Sequence, residues 1–335
     1  MTAAVGTPGL PAPVRVVVAG TPDVALPSLA ALIADPRIDV VGVLTNPARP
    51  RGRRGAPVDP PVATRAHELG LPLLQPERPT DALDALTALA PTVGAVVAYG
   101  ALLPPPVLAV PSAGWVNLHF SLLPRWRGAA PVQHAIRAGD AVTGVTVFRL
   151  DIGMDTGPVL GRVEHRLDPS RDAGEVLTEL AGVGAPLLVE GVLAAARGEP
   201  GVPQPVDRVT LAPRLGPADA AVDWTAEAPV VDRAIRSVTP RPGAVTTAPS
   251  GPLKVAGSRV LAPDAAAGTG PPARPGTVLG LDGTDLVVAC ATGAVAVARV
   301  QPAGRTWMAA ADAVRGRRVA VGDVLGAEGE APARR

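Results

Sequence analysis

Asn117-Leu118-His119-Phe120-Ser121-Leu122-Leu123-Pro124, continuing Arg125-Trp126-Arg127-Gly128-Ala129-Ala130-Pro131, is the stretch that decides how this 335-residue chain is read. Trp115 to Phe120 has the composition of a strand, and side chains alternate across a strand. Asn117 and His119 therefore share one face, and Leu118 takes the other. The apolar run Val93 to Ala98 upstream reads as a second strand. Strands that are apolar on both faces fit a parallel sheet covered by helices on each side. In open α/β sheets ligands bind at the carboxyl ends of the strands, and Asn117 and His119 fall at such an end. An amide donor beside an imidazole suits a reaction that builds negative charge on a carbonyl oxygen. The amide stabilises the oxyanion, and the imidazole donates a hydrogen bond or moves a proton. Taken alone, His119 is more readily an ordinary hydrogen-bonded loop histidine. Asn117 and the Ser-Leu-Leu-Pro turn shift that balance.

Outward from this stretch, short Val-rich runs alternate with Ala/Leu-rich segments. Val14 to Ala19, Ile38 to Leu44 and Gly144 to Leu150 read as further strands. Val24 to Ala34, Pro61 to Leu69, Asp81 to Leu89, Ala130 to Ala138 and Arg171 to Arg197 read as helices. This alternation predicts an α/β fold, an open and mostly parallel Rossmann-like sheet, over residues 14–198. Residues 199–217 are rich in Pro, Gly and Arg without a period and read as a linker. From 218 to 325 the texture changes. A short helix near Val230 to Ser237 is followed by Leu253 to Val255, Gly276 to Leu279, Leu286 to Cys290 and Ala294 to Val300. These predict a small β-barrel or sandwich. Residues 1–13 read as a flexible leader and 326–335 as a flexible tail.

Composition sets limits. Hydrophobic residues make up 47% but aromatics only 2%, so the core must be aliphatic and pack by volume and shape. A net charge of +1 excludes a polycationic nucleic-acid coat, though not a local basic patch. The single cysteine, Cys290, excludes an internal disulfide or a Cys-based zinc cage and reads as a small buried strand residue. No apolar run is expected to reach the ~18 residues of a membrane span. The N-terminus lacks a signal-peptide pattern, so a cytoplasmic location is expected. His67, His134 and His165 lack metal-ligand spacing, and no metal is expected. Ala19-Gly20-Thr21-Pro22-Asp23 is not a Gly-x-Gly-x-x-Gly fingerprint, so a nicotinamide dinucleotide site is poorly supported.

Two further elements carry chemistry. Met154-Asp155-Thr156-Gly157 follows the strand after His119, so Asp155 can reach the same crevice. A carboxylate there can orient the imidazole and accept a proton from an attacking amine through water. A turn residue before glycine is the plain alternative. Asp151 competes for the role, and the Asp-Thr-Gly pattern favours Asp155. The loop Asn46 to Pro57 holds Arg49, Arg51, Arg53 and Arg54. Arginines on a Gly/Pro loop can reach the phosphates and base edges of RNA. A solvated surface loop is the plain alternative here.

The Asn-x-His pair, the Ser-Leu-Leu-Pro turn and the later Asp resemble the folate-dependent formyltransferases. Ala19 to Asp23, Val97-Ala98-Tyr99-Gly100, Leu122 to Pro131 and Gln301-Pro302-Ala303-Gly304 are most similar to the branch of that family acting on methionyl-tRNA. The resemblance spans residues 14 to 325, linker excepted. It implies transfer of the formyl group of 10-formyltetrahydrofolate to the α-amino group of methionyl initiator tRNA, in a monomer needing no protein partner. Asn117, His119 and Asp155 would be the catalytic trio, and Ser121, Leu122, Leu123 and Pro124 part of the folate site. The arginine loop would enter the acceptor stem, with Arg53 as the discriminating contact and Arg51 and Arg54 adding phosphate attraction. The C-terminal domain would be OB-like and touch the tRNA backbone, with Lys254, Arg259, Arg305, Arg317 and Arg318 as candidate positives. Phe120 departs from the pattern, standing where a small residue is expected. A formyltetrahydrofolate hydrolase, a sugar-nucleotide formyltransferase and a non-catalytic RNA-binding module are the rival readings. The arginine loop and β-rich C-terminal half argue against the first two, and the intact trio against the third.

Overall fold

Val14, Val16, Val17, Val18 and Ala19 are all buried, and the strand they build, β1 (Val14–Gly20), lies inside a seven-stranded sheet. The structure is a computed structural model and describes residues 12–50, 55–262 and 273–326. The chain forms two compact units. One holds the described residues through Pro131 with Val142–Arg166 and Leu177–Ala212. The other holds Val132–Ala141, Leu167–Val176 and the described residues from Pro213 onward.

After β1 come α1 (Leu26–Ala34), β2 (Ile38–Leu44), the two-residue strands β3 (Arg49–Pro50) and β4 (Pro57–Val58), α2 (Pro61–Glu68) and β5 (Leu73–Leu74). Then follow α3 (Leu83–Ala88), β6 (Val93–Val97), α4 (Pro105–Leu108), β7 (Trp115–His119), α5 (Pro131–Ala138), β8 (Val142–Arg149), β9 (Val159–Arg166) and α6 (Ala173–Ala196). The sheet order is β5-β2-β1-β6-β7-β8-β9. The first five strands are parallel, as a Val-rich run buried on both faces requires. β8 and β9 run antiparallel. Arg162, Glu164 and Arg166 place charge on the edge strand β9, which discourages further pairing.

Helix α6 corrects the expectation that no apolar run would be long enough to span a membrane: its 24 residues are, by length and composition. Packing accounts for its apolar character. A Cβ at Gly184 would meet Leu118 of β7, and one at Gly191 would meet Val147 of β8. The helix therefore lies directly on the Leu118 face of the sheet. Asn117 and His119 are left on the opposite face.

The second unit contains α7 (Ala228–Val238), β10 (Ala244–Ala248), β11 (Gly251–Val260), β12 (Val278–Asp282), β13 (Asp285–Ala289), β14 (Ala294–Pro302), β15 (Met308–Ala309) and α8 (Ala310–Arg315). Its sheet is antiparallel, in the order β10-β11-β14-β13-β12, with β15 beside β14. The chain after α8 links the two ends of this order. Val278 N–H donates to Asp323 O, Leu325 N–H to Gly276 O and Gly326 N–H to Thr247 O, each at 2.8 Å. The sheet is thereby drawn toward a barrel. Ile235, Val238, Leu253, Val288, Val295 and Val300 fill it. Cys290 sits in the same core, where burial pushes its thiol up to about 11. That is an inert thiol.

Candidate active site

β7 delivers His119 to its carboxyl end with the imidazole 6% exposed. Nε2 lies 2.8 Å from Trp126 O. A carbonyl can only accept, so Nε2 carries the proton and Nδ1 is the nitrogen left to titrate. Nδ1 faces Asp155 Oδ2 at 3.7 Å, beyond hydrogen-bond length. The Phe148 ring meets the imidazole edge-on, with centroids 6.4 Å apart. Burial lowers the His119 pKa below its ordinary 6.5, and the Asp155 carboxylate and the Trp126 carbonyl pull back in part. The ring is therefore neutral at pH 7, with a carboxylate waiting beside the nitrogen that would take up a proton. Asn117 is half-buried two residues earlier on the same face. Among the described residues none hydrogen-bonds its side-chain amide.

Asp155 arrives by a route the sequence did not suggest. β8 is antiparallel to β7, so its carboxyl-terminal Arg149 pairs with Val116, while His119 pairs with Thr146. The loop after β8 must double back to bring a carboxylate to His119. Gly157 allows it: a Cβ there would lie 1.8 Å from Arg149 O. Asp155 itself adopts φ +53, and its Oδ2 accepts the Gly128 N–H at 2.7 Å. The competitor Asp151 is occupied in the loop. It accepts from Gly153 N–H at 2.9 Å and from the Thr156 hydroxyl at 2.7 Å.

The Ser-Leu-Leu-Pro turn is largely internal. Ser121, Leu123 and Pro124 are buried, and Leu122 is half-buried over Gly144. The Ser121 hydroxyl donates to Arg125 O at 2.6 Å, and Thr146 Oγ1 donates to Ser121 O at 2.7 Å. Phe120, the departure from the family pattern, is buried as well. Trp126 has φ +61, a left-handed conformation costing roughly 1–2 kcal/mol for a non-glycine residue. The Arg125 guanidinium covers its ring at 4.4 Å. Trp126 lies in the quoted stretch, yet nothing in its identity signals that its carbonyl holds the histidine.

At the carboxyl ends of β1, β2 and β6, Asn46 Nδ2 donates to Thr21 Oγ1 at 3.0 Å and to Tyr99 O at 2.8 Å, and Thr21 Oγ1 donates to Tyr99 O at 2.8 Å. The loops noted at Ala19 to Asp23 and at Val97 to Gly100 are thus tied by one amide. In the sequence Asn46 is marked only as the start of the arginine loop. Arg49 lies on β3, 68% exposed and paired with Glu77 at 2.7 Å. Arg51, Arg53 and Arg54 lie outside the described residues. Among the described residues no group of three or more His, Cys, Asp or Glu is placed to hold a metal ion.

Residues 14–192 match the formyl transferase family and residues 214–318 the formyl transferase C-terminal domain. A methionyl-tRNA formyltransferase of Frankia casuarinae is 47% identical over 332 residues, covering 95% of this chain and 98% of the relative. One from Mycobacterium ulcerans is 48% identical over 314 residues, covering 91% and 97%. Among solved structures, HypX from Aquifex aeolicus in complex with tetrahydrofolic acid has a TM-score of 0.62 at 14% identity, covering 90% of this chain and 46% of that one. WlaRD, a sugar 3N-formyl transferase, has a TM-score of 0.61 at 13% identity, covering 88% and 99%. These two share the fold. With both domains matched and near-half identity along almost its whole length, the chain belongs to the formyl transferase family, in the branch of the methionyl-tRNA formyltransferases.

Proposed function

We propose that the chain moves the formyl group of 10-formyltetrahydrofolate onto the α-amino group of methionyl initiator tRNA, using Asn117, His119 and Asp155. The observation that carries this reading is the neutral, buried imidazole with a carboxylate 3.7 Å from its free nitrogen, beside an amide free to donate. The methionyl amine attacks the formyl carbon, forming a C–N bond and a tetrahedral oxyanion. The Asn117 amide donates to that oxygen, and His119 borders it. The amine proton passes to the imidazole, whose positive charge the Asp155 carboxylate offsets. Collapse of the intermediate breaks the bond to folate N10, which takes up the proton. The product is formylmethionyl-tRNA for translation initiation.

The folate would lie along the turn of Ser121, Leu122, Leu123 and Pro124. With the Ser121 hydroxyl engaged internally, that turn offers an apolar edge and backbone groups. The tRNA would be met by Arg49, Arg51, Arg53 and Arg54, and by positives of the C-terminal unit. Arg259 is a weak candidate there, since Asp282 holds it at 2.6 Å and Asp285 at 3.3 Å. The reading includes a cytoplasmic monomer that needs neither metal nor membrane. It divides the chain into a catalytic domain at 14–198, a linker at 199–217 and a tRNA-binding domain at 218–325. The test is to incubate the protein with 10-formyltetrahydrofolate and methionyl initiator tRNA. Formylmethionyl-tRNA is the expected product, and formate release without it would contradict the reading.

A further inference from the structure

Residues 202–211 lie in the segment whose sequence shows no period. Eight of these ten side chains are exposed, and Gln204 and Thr210 are the two turned inward. Gln204 Nε2 donates to Asp155 O at 2.9 Å and to Gly157 O at 2.8 Å. Its Oε1 accepts from Arg127 Nε at 3.1 Å and Nη2 at 2.7 Å. Thr210 Oγ1 accepts the Trp126 N–H at 2.8 Å. The backbone pins the segment at both ends. Val202 and Val159 exchange two hydrogen bonds of 2.8 Å. Arg127 N–H donates to Thr210 O at 2.9 Å, and Ala212 N–H donates to Arg127 O at 2.7 Å. Gly128 sits so close that a Cβ would lie 2.6 Å from Ala212 O, with φ +123.

The targets of these bonds are specific. Among the described residues five non-glycines adopt positive φ: Ala90, Ala98, Trp126, Asp155 and Arg317. Trp126 and Asp155 are the two that hold the His119 ring, one at Nε2 and the other facing Nδ1. Gln204 bonds the backbone of one and Thr210 the backbone of the other. Such backbone conformations persist where the surroundings over-determine them.

We propose that Gln204 and Thr210 are positioning residues for the formyl transfer: their strap fixes the Trp126 carbonyl and the Asp155 carboxylate between which the His119 ring is set. The proposal rests on the reading of His119 as a catalytic residue. The strap sets the geometry of the reacting groups without touching substrate. Loosening it therefore lowers the rate of the chemical step, and a displacement near 1 Å can cost about 100-fold.

The test measures formylation kinetics and thermal midpoints for Gln204→Leu, Thr210→Val, Thr210→Ser and His119→Ala. The expected result is a kcat about 10- to 100-fold lower in Gln204→Leu and Thr210→Val, with KM for tRNA and folate within about threefold of the parent. Thr210→Ser, which restores the acceptor oxygen, recovers most of that loss. Thr210→Val keeps the side-chain volume, so the Val/Ser pair stays readable even if Gln204→Leu folds poorly. If His119→Ala is inactive while Thr210→Val keeps the parent kcat, the strap proposal fails alone. It also fails if Ser and Val lose rate equally. If His119→Ala turns over normally, the catalytic reading falls and the proposal with it.

Discussion

The Asp232–Arg236 pair of the second unit and the His119–Asp155 pair of the first are both largely withdrawn from solvent, and the two are built differently. In the second unit Arg236 Nε donates to Asp232 Oδ2 at 2.8 Å, one turn apart on α7. Ser258 Oγ donates to the other carboxylate oxygen at 2.7 Å, and Arg236 Nη1 to Arg171 O at 3.1 Å. Both side chains are less than a tenth exposed. In the first unit His119 and Asp155 stand 3.7 Å apart, each tied to a different backbone group. One pair has its main valences filled by its own chain. The other keeps a titratable nitrogen and a carboxylate oxygen facing each other without a bond between them. A buried titratable ring with a specific charge partner beside it is the arrangement functional sites favour. On the proposed reading the first arrangement serves stability and the second chemistry.

Three variants break or sharpen that contrast. The largest effect is expected for Arg236→Ala, which strands a buried carboxylate. It should lower unfolding free energy by about 3–5 kcal/mol in urea titrations, with the formylation rate per folded molecule unchanged. A loss below about 1 kcal/mol would mean that the pair is not the structural element proposed. Asn117→Ala should reverse the pattern, with turnover down about 10²–10³-fold and an unfolding midpoint near that of the parent. Near-normal turnover would remove Asn117 from the mechanism. The smallest effect is on titration. The His119 pKa lies below 6.5 because burial disfavours the charged ring, and Asp155 opposes that shift. Asp155→Asn removes the opposing charge, so the imidazole should titrate at a still lower pH by NMR. A shift to higher pH would show that the carboxylate does not act on the ring. The linked stability has a definite sign. A depressed folded-state pKa makes the contribution of His119 complete above 6.5 and lost as pH falls from there through the folded value.

Much of the fold was legible because it rests on period. The expected strand Ile38 to Leu44 matches β2, and the helix expected at Pro61 to Leu69 is α2 to within a residue. The helix expected at Asp81 to Leu89 starts instead with a 3-10 turn at Pro79–Ala82. β10, Ala244-Val245-Thr246-Thr247-Ala248, follows Pro242-Gly243 and is too short and polar to stand out from a turn. The direction of β8 was not legible at all, since an alternating pattern reads the same both ways. That direction decides how Asp155 reaches the site. Asn117 and His119 were legible through strand alternation. Trp126, Gln204 and Thr210 were not, because a backbone carbonyl, a glutamine amide and a threonine hydroxyl in aperiodic sequence carry no signature. The roles proposed for them rest on contacts that no local sequence pattern encodes.

The proposal that the His119–Asp155 pair serves chemistry is tested most directly by His119→Ala, followed in one preparation by single-turnover formylation of methionyl initiator tRNA and by urea unfolding. The account predicts a rate lower by about 10²–10³-fold in a chain that still folds cooperatively, its stability reduced by only about 1–3 kcal/mol as the Trp126 carbonyl loses its partner. An unchanged formylation rate, or a rate loss matched by loss of the fold, would contradict it.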